Sequence, residues 1–312
     1  MCPRYLLYFN YLIFPGILFS LFMGGMGWWF ERKLTARFQY RVGPPWYQSF
    51  MDAAKLFVKE TLIPDNALKP LFIAAPIISF SAAATFTVLV GQIYFTGTNP
   101  VADAIVLLYL LVIPPLFVIL GAFSSRNPLA LTGAAREIKM MLAYEFIFIT
   151  VLVIVIIKSG GSILFSDIIS AQSATHMHIA SFSGAIAFFL GIFYIQAKLG
   201  IVPFDVAEAE QEIMAGTMIE YSGSLLGLYR LAKMFLYFSL PLFITILLFS
   251  GTQTTLIGKI LHLVIVYGVI MLIVSVIKNI NPRARVKDAL GFFWFFLFPL
   301  GLVGIILAMN GL

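Results

Sequence analysis

Residues 102–123 read ADAIVLLYLLVIPPLFVILGAF, with Asp103 at one edge and no other charged side chain. Coiled as a helix, such a stretch reaches across a hydrocarbon core of about 30 Å. The same reading applies to residues 5–30, 71–95, 138–158, 179–198, 225–249, 256–279 and 290–309. Hydrophobic residues make up 61% of the chain and charged residues 11%, outside the range of a soluble domain. The pattern predicts an all-α polytopic membrane protein with eight transmembrane helices in one integral membrane domain, residues 1–312. The first run passes through Trp28-Trp29-Phe30 without a small-residue cleavage site and has only Arg4 ahead of it. It is expected to stay as a span rather than leave as a signal peptide. Pro114-Pro115 predict a kink in the third span.

Basic residues set the expected orientation. The connections carrying Arg32, Lys33, Arg37, Arg41, Lys55, Lys59 and Lys69, then Arg126, Arg136 and Lys139, then Lys278, Arg283, Arg285 and Lys287 fall on one side. Only Arg4, Lys158 and Lys259 fall on the other, a ratio of 14 to 3. The positive-inside rule places the first group in the cytoplasm and both termini outside a multi-pass plasma-membrane protein. Within the first connection, Trp46, Phe50, Ala53, Ala54 and Phe57 share one helical face, opposite Gln48, Asp52, Lys55 and Lys59. This predicts a short cytoplasmic amphipathic helix over 46–60, either a surface anchor or a roof over a cavity or docking site.

The connection 199–224 is acidic. Asp205, Glu208, Glu210, Glu212 and Glu220 place five of the chain's 14 carboxylates within 16 residues, with no Lys or Arg between Lys198 and Arg230. Crowded carboxylates repel, so some are expected to hold protons near neutral pH. Asp205 and Glu208 have the spacing of a capping box, and a helix is expected to begin near Val206. It would carry Asp205, Glu208 and Glu212 on one face, with Glu208 and Glu212 repelling at i, i+4. Asp205 and Glu208 as simple caps and Glu210 as a solvated group is the competing structural reading. Counter-charges would have to come from Arg32, Arg37, Arg41 or Arg136, or from other subunits.

Glu145 lies inside the fourth span, where an ionisable group costs about 2.5–3.5 kcal/mol on insertion scales and is functional by default. Burial should raise its pKa if no cation reaches it. Glu137, two turns earlier, has Arg136 and Lys139 beside it and reads equally as a surface ion pair. Glu31, with Arg32 and Lys33, reads as an interfacial charge cluster. His176 and His178 read as solvated loop residues, and no metal-ligand spacing is present. A lone Cys2 excludes an internal disulfide and an iron–sulfur cluster. There is no phosphate-binding Gly-rich loop and no Ser or Cys nucleophile motif. The net charge of +6 follows topology, so nucleic acid is not implied. No internal repeat is evident, which argues against the inverted-repeat transporters.

Glu31-Arg32-Lys33, Arg41-Val42-Gly43-Pro44, Tyr144-Glu145, Pro203-Phe204-Asp205 with Glu208, Glu210 and Glu212, and Glu220-Tyr221-Ser222-Gly223 follow one another in order. This set resembles the eight-span membrane subunit at the foot of the peripheral arm of respiratory complex I. The family also includes the equivalent subunits of group 4 membrane-bound nickel–iron hydrogenases, formate hydrogenlyases and related ferredoxin-dependent complexes. Quinone-reducing members are similar to each other in a longer first loop and in an Ala-Glu-x-Asn-Arg segment before Pro-Phe-Asp. Here the loop is compressed to Arg41–Gln48, the acid is replaced by Lys198 and the Arg by Ile201. Both changes resemble the hydrogenase or sulfur-reductase branch.

The resemblance implies a non-catalytic anchor and coupling subunit with no cofactor of its own. Its partners would be cytoplasmic iron–sulfur and hydrogenase-like subunits, with iron–sulfur clusters and a nickel–iron centre fed by reduced ferredoxin, and antiporter-like membrane subunits in the bilayer. Glu145, Asp205, Glu208, Glu210, Glu212, Glu220 and Glu137 would relay protons or sodium. Arg37, Arg41, Lys198, Glu31 and Arg32 would dock partners or balance charge. A quinone-binding subunit of a complex I-type dehydrogenase is the first alternative, and a stand-alone channel or transporter the second.

Overall fold

The computed structural model describes residues 10–97, 103–174, 176–208, 210–250 and 255–311, with the side chains of Glu210 and Gln211 outside that description. Cys2, Arg4 and the start of the first span also lie outside the described residues. The chain is helical, with no strand among the described residues. The long helices are α1 (Ile17–Phe38), α3 (Lys69–Thr96), α4 (Ala104–Ser125), α5 (Pro128–Lys158), α7 (Phe182–Lys198), α9 (Gly223–Phe249) and α10 (Leu256–Ile280). A final span runs from α11 (Val286–Gly291) through a π-helical segment (Phe292–Leu297) into α12 (Phe298–Met309). Seven of these segments are long and apolar enough to cross a membrane, and the 17-residue α7 is a shorter eighth. Short helices α2 (Gln48–Val58), α6 (Phe165–Ala174) and α8 (Glu210–Ile213) lie in the connections.

Two helix boundaries move site residues. α1 continues to Phe38, so Glu31, Arg32, Lys33 and Arg37 ride on its last turns instead of opening a loop. α5 starts at Pro128, well before the expected 138. Asn127 caps it by accepting from the Leu129 amide at 2.8 Å, and Pro128 fits the first turn, whose N–H needs no partner. Glu137 therefore belongs to the helix that carries Glu145. Pro114 and Pro115 lie within an α4 that is continuous from Ala104 to Ser125.

The connections meet at two ends. At one end Leu68 N–H donates to the Ser124 carbonyl at 2.9 Å, Leu62 N–H to the Ser222 hydroxyl at 2.9 Å, and the Gln39 amide to Asn279 at 3.3 Å. At the other, the Lys259 ammonium reaches the Phe95 carbonyl at 3.0 Å and Ala104 N–H the Ile163 carbonyl at 3.0 Å. The three basic connections and the acidic one therefore share an end, as the alternation of spans requires. The amphipathic helix is there too, as α2, with Ser49 and Ala53 buried and Phe50 stacked on Phe22 at 5.9 Å.

α9 stands in the middle, with 89% of its most apolar stretch buried. It packs against α1, α2, α3, α7 and α10. Gly24 permits the α1 crossing, because a Cβ there would lie 2.0 Å from the Met234 carbonyl oxygen. An internal stack of aromatic rings fills the core around it, including Phe148 on Tyr194 at 4.1 Å and Phe86 against Phe243 at 5.5 Å.

Candidate functional site

The segment from Ile201 to Glu208 runs through turns, and among the described residues the acidic connection holds only the four-residue α8 and a single 3-10 turn at Gly216–Met218. The capping-box helix expected from Val206 does not form. The carboxylates consequently do not share a helical face and point to different cations. Asp205 receives both Nε, at 2.8 Å, and Nη2 of Arg283, a bidentate contact of the strong type. Glu208 pairs with Lys233 on α9 at 3.2 Å. Glu212 pairs with Arg136 on α5 at 2.5 Å. Glu220 accepts from the Asn127 side chain at 2.5 Å. The Glu210 side chain lies outside the described residues.

Gly133 brings α5 against this connection. A Cβ there would sit 2.8 Å from the Thr217 amide, so the turn at Gly216–Met218 rests on the bare helix backbone. Behind it, Tyr221 stacks on Phe72 at 4.1 Å and donates to the Phe72 carbonyl at 3.1 Å. The Tyr221 hydroxyl is pushed above its ordinary pKa by burial and stays protonated as a donor.

The pairing alters the electrostatics expected from sequence. For Glu208, burial disfavours the charge, but Lys233 and Arg230, together with the Lys233 hydrogen bond, outweigh it and hold the carboxyl below its ordinary pKa. Crowding does not leave Glu208 protonated, because Lys233 and Arg230 face its own carboxylate. Of the proposed counter-charges, Arg136 serves Glu212. Arg32 instead pairs with Asp52 on α2 at 3.2 Å, and Arg37 and Arg41 are exposed and form no ion pair among the described residues.

Further in, Glu145 is not an isolated acid. Its Oε1 pairs with the ammonium of Lys198, whose side chain is 1% exposed against 11% for Glu145. The ammonium also lies over the Tyr144 ring, 5.1 Å from its centroid, and over that of Tyr194 at 5.7 Å. Glu145 Oε2 and the Tyr194 hydroxyl are both buried, and the hydroxyl lies beside the Glu145 carboxylate. Glu137 pairs with neither Arg136 nor Lys139; Tyr144 donates to its carboxylate at 3.4 Å.

Glu31 also departs from its reading as a surface cluster. It is 2% exposed, accepts from Thr35 at 3.2 Å and pairs with Lys278 of α10 at 2.6 Å. His178 is buried rather than solvated, facing Ser159 at 3.3 Å, whereas His176 is exposed. Burial and the nearby Lys158 charge lower the His178 pKa to about 4, so it is neutral at pH 7.

Between the acidic connection and α4, α5, α7 and α9 lies a partly open cavity of about 90 Å³, room for several waters. Glu137, Lys198, Asp205, Glu208 and Lys233 supply its polar wall, and Pro114 and Pro115 of α4 part of its apolar wall. The acidic connection thus borders a cavity with ionisable groups in its wall, and the sealed Lys198–Glu145 pair lies behind that wall. Sequence reasoning missed Arg230 and Lys233. Their signal was present, two cations three residues apart at the head of an otherwise apolar helix.

A family model described as NADH dehydrogenase matches residues 10–309. The chain belongs to the NADH dehydrogenase family. It is 33% identical over 294 residues to an NADH-quinone oxidoreductase subunit from Brevibacillus brevis, covering 89% of this chain and 85% of that protein. To the subunit of the same name from Dehalococcoides mccartyi it is 29% identical over 295 residues, covering 89% and 80%. A chain in the solved structure of the membrane-bound sulfane sulfur reductase, an archaeal respiratory membrane complex, superposes with a TM-score of 0.87 at 26% identity. That match covers 96% of this chain and 99% of the other. The family resemblance read from the Pro-Phe-Asp to Glu-Tyr-Ser segment holds over nearly the whole chain.

Proposed function

We propose that this chain is the membrane-anchor and coupling subunit of an ion-translocating respiratory complex. Electron transfer takes place in an attached cytoplasmic module, and the carboxylates of this chain carry the resulting ion movement into the bilayer. The observation that supports this reading best is the series of ionisable groups set around and behind one cavity. Asp205, Glu208 and Lys233 face the cavity from outside, Glu137 and Lys198 line it from inside, and Glu145 lies behind Lys198. Ionisable groups at that depth are expensive, and a purely structural subunit has no need of them. Glu212 and Glu220 hold the entrance against α5 and Asn127.

The module we favour is ferredoxin-fed and hydrogenase-like, with iron–sulfur clusters and a nickel–iron or sulfur-reducing centre in partner subunits and antiporter-like subunits alongside in the membrane. Lys198 and Ile201, in place of the acid and the arginine of quinone-type members, support it, as does the likeness to a sulfane sulfur reductase chain. The exposed Arg37 and Arg41, with Arg32 nearby, are the docking candidates on this chain. A quinone-reducing complex is the second reading, favoured by the relatives named as NADH-quinone oxidoreductase subunits. Metal and quinone analysis of the intact purified complex separates the two.

The test of coupling uses the complex reconstituted in sealed vesicles. Replacing the pair together, Glu145→Gln with Lys198→Met, removes the relay without leaving a buried charge. Ions moved per electron transferred should fall at least tenfold. An unchanged ratio in an assembled complex would remove the relay from this chain.

A further inference from the structure

We propose that the cleft where α1, α2 and α9 meet, at the end of the bundle that carries the basic connections, holds the headgroup phosphate of an anionic lipid.

The cleft has a volume of about 440 Å³. Four cations line it: Arg32 of α1, Lys55 and Lys59 of α2, and Arg230 of α9. One acid, Asp52, faces them, so four positive charges less one negative leave a net charge of +3. Asp52 is engaged on both oxygens, receiving Arg32 at 3.2 Å and the Gln48 amide at 2.7 Å. Lys55, Lys59 and Arg230 form no ion pair among the described residues. Glu208 feels the Arg230 charge but takes its hydrogen bond from Lys233 at 3.2 Å. Like charges gathered on one cleft repel, and an anion among them relieves that repulsion.

Part of the site is held in place by contacts. The Arg230 guanidinium lies over the Trp28 ring, 5.7 Å from its centroid, and Trp28 stacks on Tyr237 at 5.7 Å. Arg32 is fixed by Asp52. Lys55 and Lys59 are exposed one turn apart on α2, free to close on a ligand from the rim.

The rest of the wall favours a lipid over a soluble anion. Trp28, Leu56 and Leu226 supply apolar surface that an inorganic ion cannot use, whereas the glycerol and first acyl carbons of a lipid bury against it. On the same helices Phe22, Met51 and Phe57 are exposed apolar side chains. The depth agrees as well. Arg230 lies two turns from the start of α9 and Arg32 two turns from the end of α1. α2 has the pattern of a helix lying in the headgroup plane, where basic pockets between spans hold anionic headgroups.

The intact complex, stripped of lipid in detergent, is titrated with phosphatidylglycerol or with phosphatidylcholine, and lipid retained on this subunit is read by native mass spectrometry. Two surface lysines are together worth about a thirtyfold change in binding. Lys55→Gln with Lys59→Gln should therefore bind phosphatidylglycerol at least tenfold more weakly and phosphatidylcholine as before, whereas Lys55→Arg with Lys59→Arg should bind both like wild type. Equal retention of the two lipids by wild type, or unchanged phosphatidylglycerol binding by the glutamine variant, would overturn the proposal. Inorganic phosphate should displace the lipid no better than chloride at the same ionic strength; stronger displacement would assign the cleft to a soluble anion. Carbodiimide coupling of Lys55 or Lys59 to a carboxylate of another subunit in the untreated complex would reveal a protein occupant and overturn the lipid assignment.

Discussion

Cutting the Lys198–Glu145 pair from one side should be far worse than removing it whole. Both side chains are nearly sealed, at 1% and 11% exposure. Glu145→Gln leaves an ammonium facing an amide, and Lys198→Met leaves a carboxylate facing a thioether. Each strands a buried charge, which in proteins costs about 3–5 kcal/mol, while replacing both members of a buried pair is often neutral. The lower end of that range is taken for each single change, about 3 kcal/mol. Three kcal/mol is about a 150-fold change in an equilibrium constant. A double-mutant cycle should therefore show a coupling energy of about 5 kcal/mol or more, with the double variant close to wild type. The assay is thermal or denaturant loss of this subunit from the detergent-solubilised complex, read on native gels at fixed complex concentration. Two harmless single variants, or a double variant as unstable as the sum of the singles, would refute the buried-pair reasoning.

Single cysteines introduced at Asn66 and at Ser173 should label from opposite faces of the membrane with an impermeant thiol reagent, and labelling from the same face would sink the orientation argument. Glu208→Gln and Glu212→Gln should have additive effects on stability and coupling, because Lys233 and Arg136 are separate partners. A double variant no worse than its worse single parent would show that the two carboxylates act as one unit. For His178, whose folded pKa is lowered to about 4 while the unfolded value is about 6.5, the unfolded chain binds the extra proton first. Its contribution is full above about pH 6.5 and falls as pH drops towards 4. His178→Gln should flatten that part of the stability–pH profile, and an unchanged slope there would place the imidazole in water.

The bundle was largely legible because membrane spans obey two strong constraints, apolar length and the distribution of Lys and Arg. Residues 102–123 and 225–249 needed nothing else. The limits of the long helices were less legible, since α1 and α5 continue as helices past their apolar stretches, where polarity suggests a loop. Glu145 was found by its depth, and the acidic stretch by its density. Their partners were not, because pairing depends on which helices meet. Lys198 lies 53 positions from Glu145, and Arg283 lies 78 from Asp205. Local spacing suggested that Glu208 and Glu212 repel along a helix, but tertiary cations draw them apart and the segment turns instead. His178 shows the same limit, for a loop position in sequence is closed over by Ser159 and the start of α7.

The central position of α9 has a consequence for the lipid. Bilayers differ in thickness, and a span that touches lipid tilts or slides to match its surroundings. The outer spans here are the ones in contact, with 39% of the most apolar stretch of α10 and 28% of that of the final span buried. α9, at 89%, is insulated by protein. It also carries Lys233, which faces the cavity and holds Glu208. A thinner or thicker membrane is therefore absorbed by the periphery. The cavity keeps its dimensions, and the chemistry at its wall is decoupled from the mechanical state of the bilayer.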